Sequence, residues 1–142
     1  MKLLSGTLAA ALLLANIGVS HAAVRIANDQ GGRIDRYLDG YEELGASGRT
    51  VMIDGLCASA CTIVLGAIPR DKICVTSKAT LAFHAAWDFG AHRQAITNLE
   101  ATRNLFAMYP VQVRRWIARH GGLTRRPIFL RGKQLRAMYR SC

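Results

Sequence analysis

The sequence predicts an α/β domain with a mainly parallel sheet, flanking helices and disulfide staples. Short apolar runs typical of strands alternate with amphipathic segments, in the order strand, helix, strand, helix, strand, strand, helix. This alternation is typical of a parallel sheet covered by helices. Four cysteines follow an N-terminal segment of secretory type, which adds the expectation of disulfides.

The first 22 residues have the pattern of a signal peptide. Lys2 gives a basic start, residues 8–19 are almost unbrokenly apolar, and Ser20-His21-Ala22 offers small residues at the positions that a signal peptidase reads. The apolar run is short for a membrane span. Cleavage after Ala22 would leave residues 23–142 as one domain in the bacterial periplasm or outside the cell. An uncleaved N-terminal anchor is the alternative.

Hydrophobic periodicity and turn residues place the elements. The predicted strands cover residues 24–27, 49–53, 73–75 and 80–84. The predicted helices cover residues 34–45, 59–67, 91–108, 111–120 and 129–139. Apolar residues recur every three to four positions from Ile34, Pro110 opens the fourth helix, and Gly121-Gly122 closes it. Asp54-Gly55 is expected to turn the chain before Ser59, and residues 85–90 are expected to form a loop.

The four cysteines predict two disulfides. Cys57 and Cys61 are only four residues apart around Ser59, so each is expected to reach one of the two distant cysteines, Cys74 and Cys142. Zinc binding is the alternative, but a Cys-x3-Cys pair lacks the usual paired spacing of zinc ligands. No metal and no cofactor is expected.

Positive charge dominates the chain, with a net charge of +10. Glu100 is the last acidic residue, and ten basic residues follow from Arg103 onward. Such a surface attracts anionic partners such as lipopolysaccharide phosphates or phospholipid headgroups. A solvated basic face without a dedicated ligand is the alternative. No aromatic and basic interleaving of a nucleic-acid motif is present, so no specific nucleic acid is expected.

Ser59 and His84 form the candidate reactive pair. Both lie at predicted strand-to-helix junctions, and 25 residues separate them. A serine needs a base within hydrogen-bond reach to become a nucleophile, and backbone N–H groups to hold the oxyanion that its attack creates. The amide of Ala60 at a helix start and the Gly31-Gly32 turn could supply those donors. A helix-cap serine and a histidine of the core are the alternatives.

The order of these motifs resembles the proteolytic subunit of the Clp protease. The shared features are the turn Asn28-Asp29-Gln30-Gly31-Gly32, the triplet Ala58-Ser59-Ala60 before an apolar helix, and Phe83-His84 at a strand end. The likeness covers residues 24–86 and continues loosely through residues 117–121 and 129–130. The chain is similar above all to secreted bacterial proteins of this Clp/crotonase-like fold, which carry cysteines on both sides of the serine.

The resemblance implies that Ser59 is a nucleophile, His84 its base, and the amides of Gly32 and Ala60 the oxyanion donors. The aspartate that orients the histidine in the family would fall within residues 123–128, where this chain has no acid. A third partner would have to be Asp88 or another upstream carboxylate.

Two functions are therefore expected. The first is a secreted, ATP-independent serine hydrolase, peptidase-like, that acts on peptides without an ATPase partner. The second is a non-catalytic periplasmic protein of the same fold that binds anionic envelope partners through its basic C-terminal surface. The oligomeric state is left open.

Overall fold

A computed structural model describes residues 22–142, and the predicted signal peptide lies almost wholly outside them. The strands are β1 (Val24–Asp29), β2 (Val51–Ala58), β3 (Ile73–Val75), β4 (Thr80–Phe83), β5 (Trp87–Phe89), β6 (Ala95–Thr97), β7 (Ile128–Arg131) and β8 (Arg140–Ser141). The α-helices are α1 (Ile34–Ala46), α2 (Val64–Ala67), α3 (Leu99–Met108), α4 (Val111–Arg119) and α5 (Gly132–Met138). Two 3₁₀ turns cover Ser59–Ile63 and Arg70–Lys72.

The long strand β2 is the centre of a curled, mostly parallel sheet. β1 runs parallel to one edge of β2, whereas β3 and β4 share the other edge, pairing with residues 51–53 and 56–58. β8 extends the sheet beside β3, and β7 adds the one antiparallel pairing, to β4. β5 and β6 form a separate antiparallel hairpin. The prediction of a mixed α/β domain with a mainly parallel sheet is confirmed.

β2 continues through Asp54-Gly55, where a turn was predicted. Gly55 is needed there because a Cβ atom would overlap the carbonyl oxygen of Ala27, and the β1 pairing shifts register at this point. Asp54 accepts hydrogen bonds from Arg25 Nε (2.7 Å) and Thr76 Oγ1 (2.7 Å). The extra strand length carries the chain directly to Ser59.

One continuous apolar core joins the sheet to the helices. α1 forms where predicted and covers the sheet with Ile34, Leu38, Tyr41 and Leu44. The predicted helix at residues 59–67 begins as a 3₁₀ turn before α2, and residues 60–65 are buried, as its lack of a polar face predicted. Burying such residues stabilises the fold by about 25 cal/mol for each Å² of apolar surface.

Two predicted helices were partly wrong. Residues 91–108 form the end of the β5–β6 hairpin and then the shorter helix α3, whose first turn is capped by Asn98 Oδ1 accepting from the amide of Ala101 (2.9 Å). Residues 129–139 divide into β7 and α5. In both places, strand pairing satisfies backbone groups that the periodicity assigned to a helix.

All four cysteines form disulfides, but the expected pairing was wrong. Cys57 bonds Cys61, and Cys74 bonds Cys142. The short pair can close because the chain between them is folded back at Ser59, which brings their Cα atoms to 5.3 Å, within the usual disulfide range. With every cysteine oxidised, no thiolate is left to bind zinc.

Two further features concern compartment. The disulfides fit an oxidising environment. Among residues 22–142, no helix has the length and apolar character to cross a membrane.

Candidate active site

A cleft of about 1000 Å³ opens at the ends of β2 and β4. Its walls include all four residues that the sequence assigned to chemistry: Gly32, Ser59, Ala60 and His84. The two strands are parallel neighbours, so residues just past their carboxyl ends meet at one edge of the sheet. The α1 start and α3 complete the walls.

Ser59 follows β2 directly and has an unusual backbone conformation. Its φ is +56°, in the left-handed region that residues with a Cβ atom rarely adopt. Its carbonyl accepts a hydrogen bond from the Thr62 hydroxyl (2.6 Å). Because a hydroxyl has one proton to donate, the Thr62 oxygen accepts its second hydrogen bond from Tyr109 Oη (2.6 Å). Thr62 and Tyr109 are buried, so this chain of hydroxyl groups ties the Ser59 backbone to the core.

The Gly31-Gly32 turn packs against the Ser59 backbone. Gly31 has φ +81°, and a Cβ atom there would lie 2.6 Å from both Ala58 O and Ser59 Cβ. Asp29 holds the turn, because its Oδ1 accepts from the Gly31 amide (2.8 Å) and from Tyr37 Oη (2.6 Å). Burial and this bond raise the pKa of Tyr37 to about 12.

The amides of Gly32 and Ala60 are the predicted oxyanion donors. Within residues 22–142, no backbone or side-chain hydrogen bond occupies the N–H of Gly32. The amide of Ala60 lies in the first turn of a helix, where N–H groups have no carbonyl one turn earlier. Both residues line the cleft, so the Gly31-Gly32 turn and the 3₁₀ turn after Ser59 border the same space.

His84 lies just past β4 and is half-buried. Its Nδ1 is 2.8 Å from the carbonyl oxygen of Ala85. A carbonyl oxygen only accepts, so this hydrogen bond places the proton on Nδ1 and leaves the lone pair of the neutral ring on Nε2. The Ala85 amide donates to Thr124 O (2.7 Å). The stretch 123–128, where the resemblance places an acid, is thus next to the residue that follows His84. It supplies a backbone carbonyl to the Ala85 amide and no carboxylate to His84.

The carboxylates near the cleft have other partners. Asp88 Oδ2 accepts from Asn98 Nδ2 (2.7 Å) within the hairpin region. Asp35 pairs with Arg33 at the cleft rim, and this hydrogen bond lowers the pKa of Asp35 to about 2. Among the described residues, no carboxylate forms a hydrogen bond with His84. Asp88 is therefore not the third partner in this conformation.

The described residues also show no hydrogen bond from the Ser59 hydroxyl to the His84 ring. The two side chains line one cleft without being joined. Contacts between catalytic groups are commonly long in ligand-free enzymes and tighten when substrate binds.

The β5–β6 hairpin forms one wall with exposed aromatic residues. Trp87 is 47% and Phe89 71% exposed, and their rings meet edge to face at 5.1 Å. Both residues line the cleft.

The basic C-terminal residues lie outside this cleft. Nine of the ten basic side chains from Arg103 onward are exposed. The salt bridges of residues 22–142 are Arg25–Asp54 and Arg33–Asp35, so the ten carry no ion pair. Trp116 Nε1 donates to Gln134 (3.0 Å), which joins α4 to α5 and so brings together the two helices that carry much of this charge.

Sequence reasoning missed the residues that hold the site. Asp29, Tyr37, Thr62, Tyr109 and Thr124 act through hydrogen bonds to the turn, to Ser59 and to the segment after His84. Only Asp29 had a local signal, because an aspartate two residues before a glycine commonly accepts from its amide. The others are distant in sequence from what they hold.

No protein-family model matches this chain, and no curated protein matches it. The described residues contain no group of three or more His, Cys, Asp or Glu side chains placed to hold a metal ion. The likeness to Clp stays a hypothesis drawn from motifs and their spacing.

Proposed function

We propose that this protein is a secreted, ATP-independent serine hydrolase of the Clp-like type, with peptides as its substrate class. One observation carries the proposal: Ser59, His84, Gly32 and Ala60 line the same cleft. A nucleophile, a base and two oxyanion donors serve one reaction, acyl transfer. The Clp/crotonase-like fold is part of the proposal.

In the proposed reaction, Ser59 Oγ attacks the carbonyl carbon of the substrate while His84 Nε2 takes its proton. The amides of Gly32 and Ala60 donate to the oxyanion of the tetrahedral intermediate. The imidazolium then protonates the leaving amine, which departs and leaves an acyl group on Ser59. A water molecule, deprotonated by His84, attacks the acyl carbon, and the returned proton regenerates the Ser59 hydroxyl.

The carbonyl of Ala85 takes over one of the tasks of an orienting acid. It fixes the tautomer in which Nε2 is the base. It carries no charge, so it stabilises the imidazolium less than a carboxylate would. In a serine protease of another fold, loss of the aspartate function costs about four orders of magnitude in kcat. We therefore expect slow turnover with detectable covalent labelling.

A fluorophosphonate probe tests the proposal, because it reacts with an activated serine. The protein comprising residues 23–142 should be labelled at Ser59, located by peptide mass spectrometry. Ser59→Ala should abolish labelling, and His84→Ala should slow it at least about 100-fold, the lower end of general-base contributions. Ser77→Ala, which removes an exposed hydroxyl, is the matched control. Absence of labelling in a folded wild-type protein would refute the proposal.

The unpaired basic side chains favour a second candidate, binding to an anionic envelope surface. Vesicles with phosphatidylglycerol should bind the protein, vesicles of phosphatidylcholine alone should not, and added salt should weaken binding steeply. Arg115→Gln/Arg119→Gln should weaken it more than Arg36→Gln/Lys78→Gln, which removes the same charge elsewhere. Binding that is indifferent to salt would exclude this candidate.

A further inference from the structure

We infer that the Cys57–Cys61 disulfide is a positioning device that holds Ser59 in its left-handed conformation. The inference rests on the proposed function, since it assigns these cysteines a role in placing the nucleophile. Ser59 is the midpoint of the five-residue ring that the bridge closes. Among the described residues other than glycine, Arg93 in an exposed turn is the only other one with positive φ.

Both ends of the bridge are anchored in rigid surroundings. Cys57 is part of β2 and pairs with Asp29 on one side and Leu81 on the other. The carbonyl of Cys61 accepts a hydrogen bond from Tyr41 Oη on α1 (3.0 Å). Both cysteines have 0% exposure, so solvent thiols do not reach the bridge in the folded protein. It is a fixed clamp, not a redox switch.

The clamp maintains a conformation that a serine backbone does not favour. A side chain with a Cβ atom is disfavoured at φ +56°, because the Cβ atom crowds the following backbone. Without the bridge, the hydrogen bond from Thr62 to the Ser59 carbonyl would still oppose a change of the Ser59 backbone toward the right-handed region. Relaxation would turn the Ala60 amide and the hydroxyl together, since they follow the same backbone torsions.

The Gly31-Gly32 turn would be affected as well. Gly31 packs directly on Ala58 and Ser59. Movement at Ser59 would therefore change the surface on which the Gly31-Gly32 turn packs, and with it the position of the second proposed oxyanion donor. Displacements of about 1 Å in a catalytic site can cost about 100-fold in rate. The clamp therefore controls nucleophile and oxyanion donors at once.

The second disulfide supplies a matched control. Cys74–Cys142 ties the last residue to β3 across 68 positions, and neither cysteine lines the cleft. A bridge that closes a long loop constrains the unfolded chain more than one that closes a short loop. Removing Cys74–Cys142 should therefore cost more thermal stability, whereas removing Cys57–Cys61 should cost more reactivity at Ser59.

The test compares Cys57→Ala/Cys61→Ala with Cys74→Ala/Cys142→Ala. Fluorophosphonate labelling is measured over a range of probe concentrations, which separates the maximal rate from the half-saturating concentration. The clamp variant should lose at least about tenfold in maximal rate at a similar half-saturating concentration. The control variant should label at the wild-type rate despite a lower Tm.

An NMR readout of backbone conformation makes the clamp testable without activity. The ¹³Cα and ¹³Cβ shifts of Ser59 report its φ, and they should move away from left-handed values in the clamp variant alone. Cys57→Ser/Cys61→Ser, which keeps the side-chain volume, replaces the alanine form where the latter does not fold. If the probe does not label the wild-type protein but the Ser59 chemical shifts still change in the clamp variant, the hydrolase proposal is refuted and the clamp is retained. The inference would be overturned if the clamp variant is labelled at the wild-type rate and its Ser59 has the same ¹³C chemical shifts as in the wild-type protein.

Discussion

Gly31→Ala is the substitution that most directly tests the packing of the Gly31-Gly32 turn against Ser59. Gly31 has φ +81°, and an added Cβ would lie 2.6 Å from Ala58 O and from Ser59 Cβ, and 2.9 Å from Ala60 N. An alanine in the left-handed region costs about 1–2 kcal/mol. Overpacking against backbone costs about 1–3 kcal/mol more. We expect the free energy of unfolding to fall by about 2–5 kcal/mol in total.

Gly48→Ala separates the two contributions. Gly48 also has positive φ, +66°, but no other part of residues 22–142 lies within 4 Å of a Cβ built there. The free energy of unfolding of Gly48→Ala should fall by about 1–2 kcal/mol, because only the cost of the backbone conformation applies. Both alanines restrict the unfolded chain equally, so that gain cancels in the comparison.

Urea unfolding followed by the fluorescence of the buried Trp116 gives both free energies. Gly31→Ala should be less stable than Gly48→Ala by about 1–3 kcal/mol and should also label more slowly with the fluorophosphonate. Equal losses, within about 0.5 kcal/mol, would show that the turn does not press on Ser59 as described.

Two further predictions concern ionisation. Hydrogen bonds from Thr76 and Arg25 hold the pKa of Asp54 below its ordinary value of 3.8, so the stability contributed by this carboxylate is present above that value and is lost as pH falls through the folded-state pKa. Asp54→Asn should therefore lower Tm at pH 7, and this loss should shrink as the pH falls below 3.8. A loss that does not depend on pH would contradict this assignment. Burial raises the pKa of all four tyrosines above 10, to about 12 for Tyr37 and Tyr139. Absorbance at 295 nm should show no phenol ionising near pH 10 until the protein is denatured, and a native transition there would identify a solvated tyrosine.

The sequence was most informative where local chemistry determines local structure. The spacing of apolar residues from Ile34 predicted α1, and Pro110 with Gly121-Gly122 bounded α4. The positions of Ser59 and His84 at strand ends placed both in one region, because parallel neighbours bring their carboxyl ends together. Asn98 was an available helix-start signal that would have shortened the predicted helix at residues 91–108.

The sequence by itself therefore determined the α/β class, the candidate site residues and the expectation of disulfides. Only the tertiary structure decided how they connect. The left-handed turn at Ser59 allows Cys57 to reach Cys61, and the carbonyl of Ala85 takes the place beside His84 where an acid was sought. Both outcomes depend on backbone torsions and on contacts between distant segments, which residue types and spacing do not encode locally.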